Sequence, residues 1–285
     1  MLIRHVSHLT GRSQVANCFP AVTTRVLTSG GFPRRLEALG WEKPVHVRGA
    51  LGGDGPAVAI VGARAATTVG MSRAHAIAKH LAARGIRIVS GGALGIDGAA
   101  HRGALAGGGA TTVVLGSGVD VPYPLRHGPV FVEVLARGGA LVSLQPDGTQ
   151  PRPGMFVQRN PLIAALADAV LVIEADVHSG SLSTARAGKQ QGRVIAAWPG
   201  SRGCDRLLAM GAGVLENELD AELAARGQIR HREPAPLDPI AAQIRTALEA
   251  GCTSVDAIVL HTGLTVRAVL RALPLIESSF PARKQ

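Results

Sequence analysis

Ala57-Val58-Ala59-Ile60-Val61-Gly62-Ala63-Arg64 sets the architecture of this chain. Five apolar residues run without a polar break and stop at a glycine, as a strand buried on both faces does. Outward from it the same kind of run recurs at 86–89, 111–115, 140–144, 169–173 and 194–198, with a weaker one at 213–215. Stretches of helical period lie between them, near 68–84, 97–107, 127–137, 160–167, 181–190 and 204–210. Strand and helix in alternation predict an α/β fold, a parallel sheet with helices on both faces. Ligands of such sheets bind at the carboxyl ends of the strands, near the point where the strand order reverses. Those ends here carry Gly62-Ala63-Arg64, Ser90-Gly91-Gly92, Gly116-Ser117-Gly118, Pro146-Asp147-Gly148, Glu174 and Trp198-Pro199-Gly200.

Residues 1–56 lack this rhythm and end in Leu51-Gly52-Gly53-Asp54-Gly55-Pro56, so a short basic N-terminal region and linker is expected there. The α/β domain is expected over 57–227, and the charged, Pro-containing stretch 228–237 reads as a second linker. Helix-period segments follow at 240–249, 254–261 and 265–273. Thr262-Gly263-Leu264-Thr265 fits a helix–turn–helix corner with Thr265 as N-cap, and Pro274 is expected to end the third helix. Residues 238–285 thus resemble a small winged-helix domain.

The chain has 285 residues, with Lys+Arg 30 against Asp+Glu 20, a formal charge of +10. That excess points to a polyanionic partner, such as nucleic acid or a phosphorylated ligand, or to a bias in coding composition. The cysteines, Cys18, Cys204 and Cys252, are far apart and form no CxxC, which indicates neither a disulfide framework nor a zinc finger and fits a reducing cytoplasm. No apolar run approaches the ~18 residues of a membrane span. G-x-x-x-x-G-K-[ST], H-E-x-x-H and G-x-S-x-G are absent, and no G-x-G-x-x-G follows the first strand. P-loop hydrolysis, zinc proteolysis and serine-hydrolase chemistry therefore lack their signatures, and neither a cofactor nor a metal is expected.

Several strand ends suit an anion. Arg64 stands where a guanidinium can grip phosphate bidentately, or is a plain surface arginine. Ser90-Gly91-Gly92 through Asp97 is a Gly-rich turn into a helix. Asp97 and His101 stand four apart and read as a structural pair, since no nucleophile is attached to them. Ser179-Gly180-Ser181 opens a helix with hydroxyls and free N–H groups, a phosphate nest or a simple N-cap. The loop from Arg152 through Phe156 to Arg159-Asn160 interleaves cations, a ring and an amide, as a single-strand groove does; Phe156 is equally able to anchor the loop in the core.

In this order, Ala57 to Arg64, Ser90-Gly91 to Asp97 and His101, Val114 to Asp120 with Tyr123-Pro124, Arg152 to Phe156 and Arg159-Asn160, Ser179 to Leu182 with Thr184-Ala185, Pro199-Gly200, Leu207 and Gly211-Ala212, the chain resembles the DNA-processing protein A family (DprA, also called Smf). The resemblance is strong over about 32–216, and 238–277 resembles that family's winged-helix domain. It implies an extended Rossmann-like sheet that binds single-stranded DNA, protects incoming DNA in natural transformation and helps load RecA recombinase, as a homodimer and without a catalytic reaction. Carried onto this sequence, it implies DNA contacts at Arg64, Gly91, Gly92, Arg126, Arg152, Phe156, Arg159, Asn160, Ser179, Gly180 and Ser181. Departures from the usual pattern are Ala63 for Ser, Leu144 for Glu, Pro161 for Arg, Leu125 for Lys and Asp205 for Asn.

Two competitors come from other classes. A nucleotide-cleaving phosphoribohydrolase or nucleotide sensor shares this kind of sheet, but the P-G-G-x-G-T-x-x-E signature is absent, with 179–184 in a similar place and no glutamate. A duplex-binding regulator could use the helix at 265–273, which offers Arg267 and Arg271. Residues 231–285 carry six basic and five acidic residues, which favours an auxiliary or protein-contact role for them.

Overall fold

The structure, a computed structural model, describes residues 23–231 and 239–277. The basic arm expected over 1–22 and most of the second linker lie outside the described residues. Two compact units, Met1–His231 and Arg232–Gln285, divide the chain.

The first unit holds one sheet of nine strands: β1 (Arg25–Leu27), β2 (Val45–Gly49), β3 (Ala57–Val61), β4 (Arg87–Gly91), β5 (Thr111–Leu115), β6 (Ala140–Ser143), β7 (Ala169–Val172), β8 (Val194–Ala197) and β9 (Gly213–Val214). Their spatial order is β1-β2-β6-β5-β4-β3-β7-β8-β9. Every pairing from β6 to β9 is parallel, so the strands expected from the apolar runs form the expected sheet. Its helices are α1 (Arg34–Glu37), α2 (Thr68–Ala82), α3 (Ile96–Ala106), α4 (Gly128–Ala136), α5 (Pro153–Gln158), α6 (Asn160–Ala165), α7 (Ser181–Gln190), α8 (Arg202–Ala209) and α9 (Glu218–Ala225).

Side chains alternate across a strand, and the alternation splits the core in two. Ala57, Ala59, Val61, Val170 and Val172 meet Leu162 and Ile163 of α6, Ala185 of α7 and Cys204 of α8 on one face. Val58, Ile60, Ala169 and Leu171 meet Ile77 and Leu81 of α2, Ala99 and Ala100 of α3 and Ala221 of α9 on the other. Leu115 and Leu141 pack on Phe131 of α4. Each fully buried Leu, Ile or Phe contributes about 1.5–3 kcal/mol, so both faces are strongly held.

Three expectations are corrected. Residues 25–49 are not an irregular arm: β1 and β2 join the sheet antiparallel, β2 against β6. Val45 and Val47 are fully buried while His46 and Arg48 are not, and the pair of strands covers what would be an open sheet edge at β6. The loop expected over 152–159 is helical from Pro153 to Gln158, with Pro153 at the first position of α5, where its missing N–H has no partner to lose. Residues 228–231 are no linker, because Val214 N–H donates to Arg230 O at 2.8 Å and Arg230 Nη2 reaches Asp220 at 2.7 Å.

The second unit packs α10 (Pro239–Glu249), α11 (Val255–Thr262) and α12 (Val266–Glu277) around Ile244, Ile258 and Val269. Thr265 Oγ1 accepts the Ala268 N–H at 3.2 Å, the expected cap. The helix does not stop at Pro274 but continues to Glu277. An interior proline costs a helix its own N–H bond and sets its ring against the carbonyl four residues back, so the helix continues past Pro274 against that penalty.

Candidate functional site

The strand order reverses at β3. The chain runs outward through β4, β5 and β6, then returns to place β7 on the other side of β3. A cleft of about 550 Å³ opens there, at the carboxyl ends of β3 and β7, walled by Arg64, Phe156, Arg159, Asn160 and the 179–181 turn. A cavity of about 160 Å³ adjoins it, sharing Arg64, Phe156 and Arg159 and adding Gly92, Leu94 and Tyr123. Gly95, at φ +76°, lets the loop after β4 press on the loop after β3, and Ile96 N–H donates to Ala63 O at 3.2 Å.

Arg64 is exposed, and its Cζ lies 5.2 Å from the centre of the Phe156 ring. Tyr123 flanks the same ring, centroids 5.4 Å apart at 41°. Phe156 is half-buried and belongs to none of the apolar clusters among the described residues. Of the two roles open to it, an edge-mounted ring therefore fits and a core anchor does not. Arg64 makes no ion pair or side-chain hydrogen bond among the described residues, which leaves its donors for an anion.

Arg159 lies deeper, 5% exposed, with Nη2 3.8 Å from Asp97 Oδ2. Its Nε and Nη1 are buried with no hydrogen-bond partner among the described residues. Burial pulls its pKa down against the pull of Asp97, and burial pushes the Asp97 carboxyl up against the pull of Arg159. Gly91 makes room for this guanidinium, which a Cβ there would overlap. The expected Asp97–His101 pair does not form. His101 Nδ1 lies 2.8 Å from Thr111 Oγ1 and its Nε2 2.9 Å from Gly91 O, while Asp97 turns to Arg159.

Asn160 donates from Nδ2 to Gly180 O at 3.1 Å and to Ser183 Oγ at 2.6 Å, so it ties α6 to the start of α7. The Ser179 and Ser181 hydroxyls bond each other at 2.7 Å above that helix start. The start of α2 is closed differently. Glu174 accepts from Thr67 N–H at 3.0 Å and from its hydroxyl at 2.6 Å, and Gly70 leaves room for the carboxylate. The chain's own anion thus occupies the helix end that takes pyrophosphate in dinucleotide-binding sheets, and α7 keeps the open one.

The cleft and its side cavity gather eight of the expected residues: Gly92, Arg64, Phe156, Arg159, Asn160, Ser179, Gly180 and Ser181. Gly91 lies beneath Arg159. Arg152, at the start of α5, and Arg126, in the short 3-10 turn before α4, are exposed outside the cleft lining. Tyr123, Leu94 and His178 also line these cavities and were not expected. The Tyr123-Pro124 dipeptide was the one local cue to them.

Residues 24–224 match the DNA recombination-mediator protein A family, and residues 228–277 match the DprA winged helix domain. The chain belongs to the DNA recombination-mediator protein A family. A DprA protein of Mycobacterium tuberculosis strain H37Rv is 40% identical over 236 residues, covering 78% of this chain and 60% of that relative. The chain therefore spans about 60% of that relative's length. The structure of DprA from Streptococcus pneumoniae superposes with a TM-score of 0.64 at 30% identity, covering 75% of this chain and 76% of that one. DNA processing protein A from Helicobacter pylori, whose structure addresses its single-stranded DNA binding mode, gives 0.63 at 31% identity, covering 70% and 94%. These likenesses carry the DprA fold, a mostly parallel Rossmann-like sheet with a C-terminal winged helix domain. No helix among the described residues is long and apolar enough to cross a membrane.

Proposed function

We propose that this DprA-family chain binds single-stranded DNA along the carboxyl edge of its sheet. The observation that carries the proposal is the Arg64 guanidinium lying on the Phe156 ring, with no ion pair or side-chain hydrogen bond among the described residues, at the mouth of the switch-point cleft. A base stacks against Phe156 and Tyr123, and Arg64 neutralises the adjoining phosphate. The start of α7 at 179–181 holds a second phosphate, and the exposed Arg126 and Arg152 extend the positive margin. Gly92 lines the side cavity, and Gly91 makes room for the Arg159 guanidinium. Arg159 and Asn160 hold the floor and the α7 start in place. The relative from Helicobacter pylori supports the choice of single strand.

On the same reading the protein works in the cytoplasm as a homodimer, protects incoming DNA in transformation and recombination, and helps load RecA. Light scattering tests the dimer, and RecA assembly on pre-coated single strands tests the loading.

Filter binding with single- and double-stranded oligonucleotides over a salt series tests the core of the proposal. Affinity for the single strand exceeds that for the duplex and falls with salt as counterions are reclaimed. Phe156→Ala weakens binding by roughly 5- to 150-fold, the value of about 1–3 kcal/mol per stacked base. Arg64→Ala lowers the logarithmic salt slope by about 0.7, one phosphate contact on a single strand. Equal affinity for single strand and duplex would sink the proposal.

A further inference from the structure

Across the switch point Trp198 and Arg73 make a second arginine-on-ring contact like that of Phe156 and Arg64, although Trp198, unlike Phe156, also packs against an apolar cluster of the core. Trp198 follows β8, and its N–H donates to Val172 O at 2.9 Å, so the residue stands on the carboxyl edge beside β7. The ring is half-buried, packed along the apolar layer that includes Met71 and Ala66. From α2, Arg73 places its Cζ 4.6 Å from the ring centre. Among the described residues Arg73 makes no ion pair or side-chain hydrogen bond, which sets it, with Arg64, apart from Arg84, Arg226 and Arg230. An arginine held on a ring but not on a carboxylate keeps its donors for phosphate while presenting a flat face to a base. The first platform stands over β5, where a Cβ on Gly116 would lie 2.8 Å from Phe156 Cδ1. From β5 to β8 there are four strand spacings of about 4.8 Å, roughly 19 Å across the edge.

We propose that the Arg73–Trp198 pair is a second stacking platform for the same single strand, so that the DNA crosses the switch point and is gripped at both ends of the edge. The proposal rests on the single-stranded DNA reading above. At about 3.4 Å per phosphate the span takes roughly 6 nucleotides, fewer if the strand is stretched. The first platform alone serves short oligonucleotides; longer ones engage both.

The test is a length series of oligothymidylates from about 4 to about 20 nucleotides, a range that brackets known single-strand site sizes. For the parent protein, affinity rises in a step once the oligonucleotide reaches both platforms. Arg73→Ala, a change to the best helix former on a partly exposed helix face, loses that step, a deficit of at least about 5-fold on long oligonucleotides. Trp198→Leu loses it as well, and Trp198→Phe, which keeps a ring, restores most of it. Phe156→Ala lowers affinity at every length. Trp41 and Trp198 are the two tryptophans of the chain, so a Trp41→Phe protein reports Trp198 emission alone. Long oligonucleotides change that emission and the shortest ones do not. A step that survives Arg73→Ala, or Trp198 emission indifferent to bound long DNA, would overturn the second platform while leaving the first intact. A parent protein that binds no oligonucleotide overturns both.

Discussion

His101 is fully buried, with both ring nitrogens engaged by Thr111 and Gly91. Burial holds the imidazole neutral, its pKa lowered to about 4; Nε2–H donates to Gly91 O, and Nδ1 lies 2.8 Å from the Thr111 oxygen, whose own hydroxyl donates to Ile88 O. The unfolded side chain titrates near 6.5, above the folded value, so the unfolded state binds the extra proton. Stability from this residue is complete above about pH 6.5 and is lost as pH falls toward 4, by about 3 kcal/mol in all. Urea unfolding at pH 7 and pH 4.5 measures this. His101→Gln removes the titrating group, so its stability falls less over that interval than the parent's; equal losses would show that the acid sensitivity lies elsewhere.

The Asn160 amide ties α6 to the start of α7, and the Gln191 amide ties α6 to the other end of α7, donating to Pro161 O at 3.1 Å. Asn160 is 6% exposed and donates to both Gly180 O and Ser183 Oγ. Asn160→Ala removes two hydrogen bonds, at a cost of about 1–3 kcal/mol in stability, while Gly180 O keeps the Ser183 hydroxyl. It also frees the start of α7, so thermal melting falls and single-strand affinity falls with it. Melting and filter binding on one preparation measure both; lost affinity at unchanged stability would instead make Asn160 a direct contact. At this scale the long apolar runs announced themselves, but β2 and α9 did not. β2 carries period-two alternation over only five residues in a Gly- and Pro-rich neighbourhood. α9 is short and weakly amphipathic, and its cue was the Asn217–Asp220 capping box, which satisfies the first free N–H groups.

Across the whole molecule the positive charge is unevenly placed. Residues 57–230 carry seventeen basic and twelve acidic residues, whereas 231–285 carry six and five. The first unit closes its own core, with Arg230 pinned to Asp220 and Glu216 at its end. A protein ending at His231 is therefore expected to melt cooperatively and to keep its single-strand affinity within about 5-fold, since a change below about 1 kcal/mol falls in that range. Complete loss of binding on truncation would move the DNA interface to the helical unit.

The succession of strands and helices along the chain and the identity of Arg64 as a strand-end cation were legible in the sequence, whereas the order of strands in the sheet, and with it the switch point, was not. What was legible is written in local periodicity, in which burial on one or both faces constrains neighbouring residues. Three further features were set by packing between distant segments. The antiparallel cover on β6 depends on which edge β2 reaches. The pairing of Asp97 with Arg159, not His101, depends on how α3 and α6 face each other. The two arginine-on-ring platforms depend on α5 and α2 delivering side chains to loops from other strands. Cation–π contact, buried ion pairing and edge pairing act over a few ångströms between residues far apart in sequence, so they appear only once the sheet has brought those residues together.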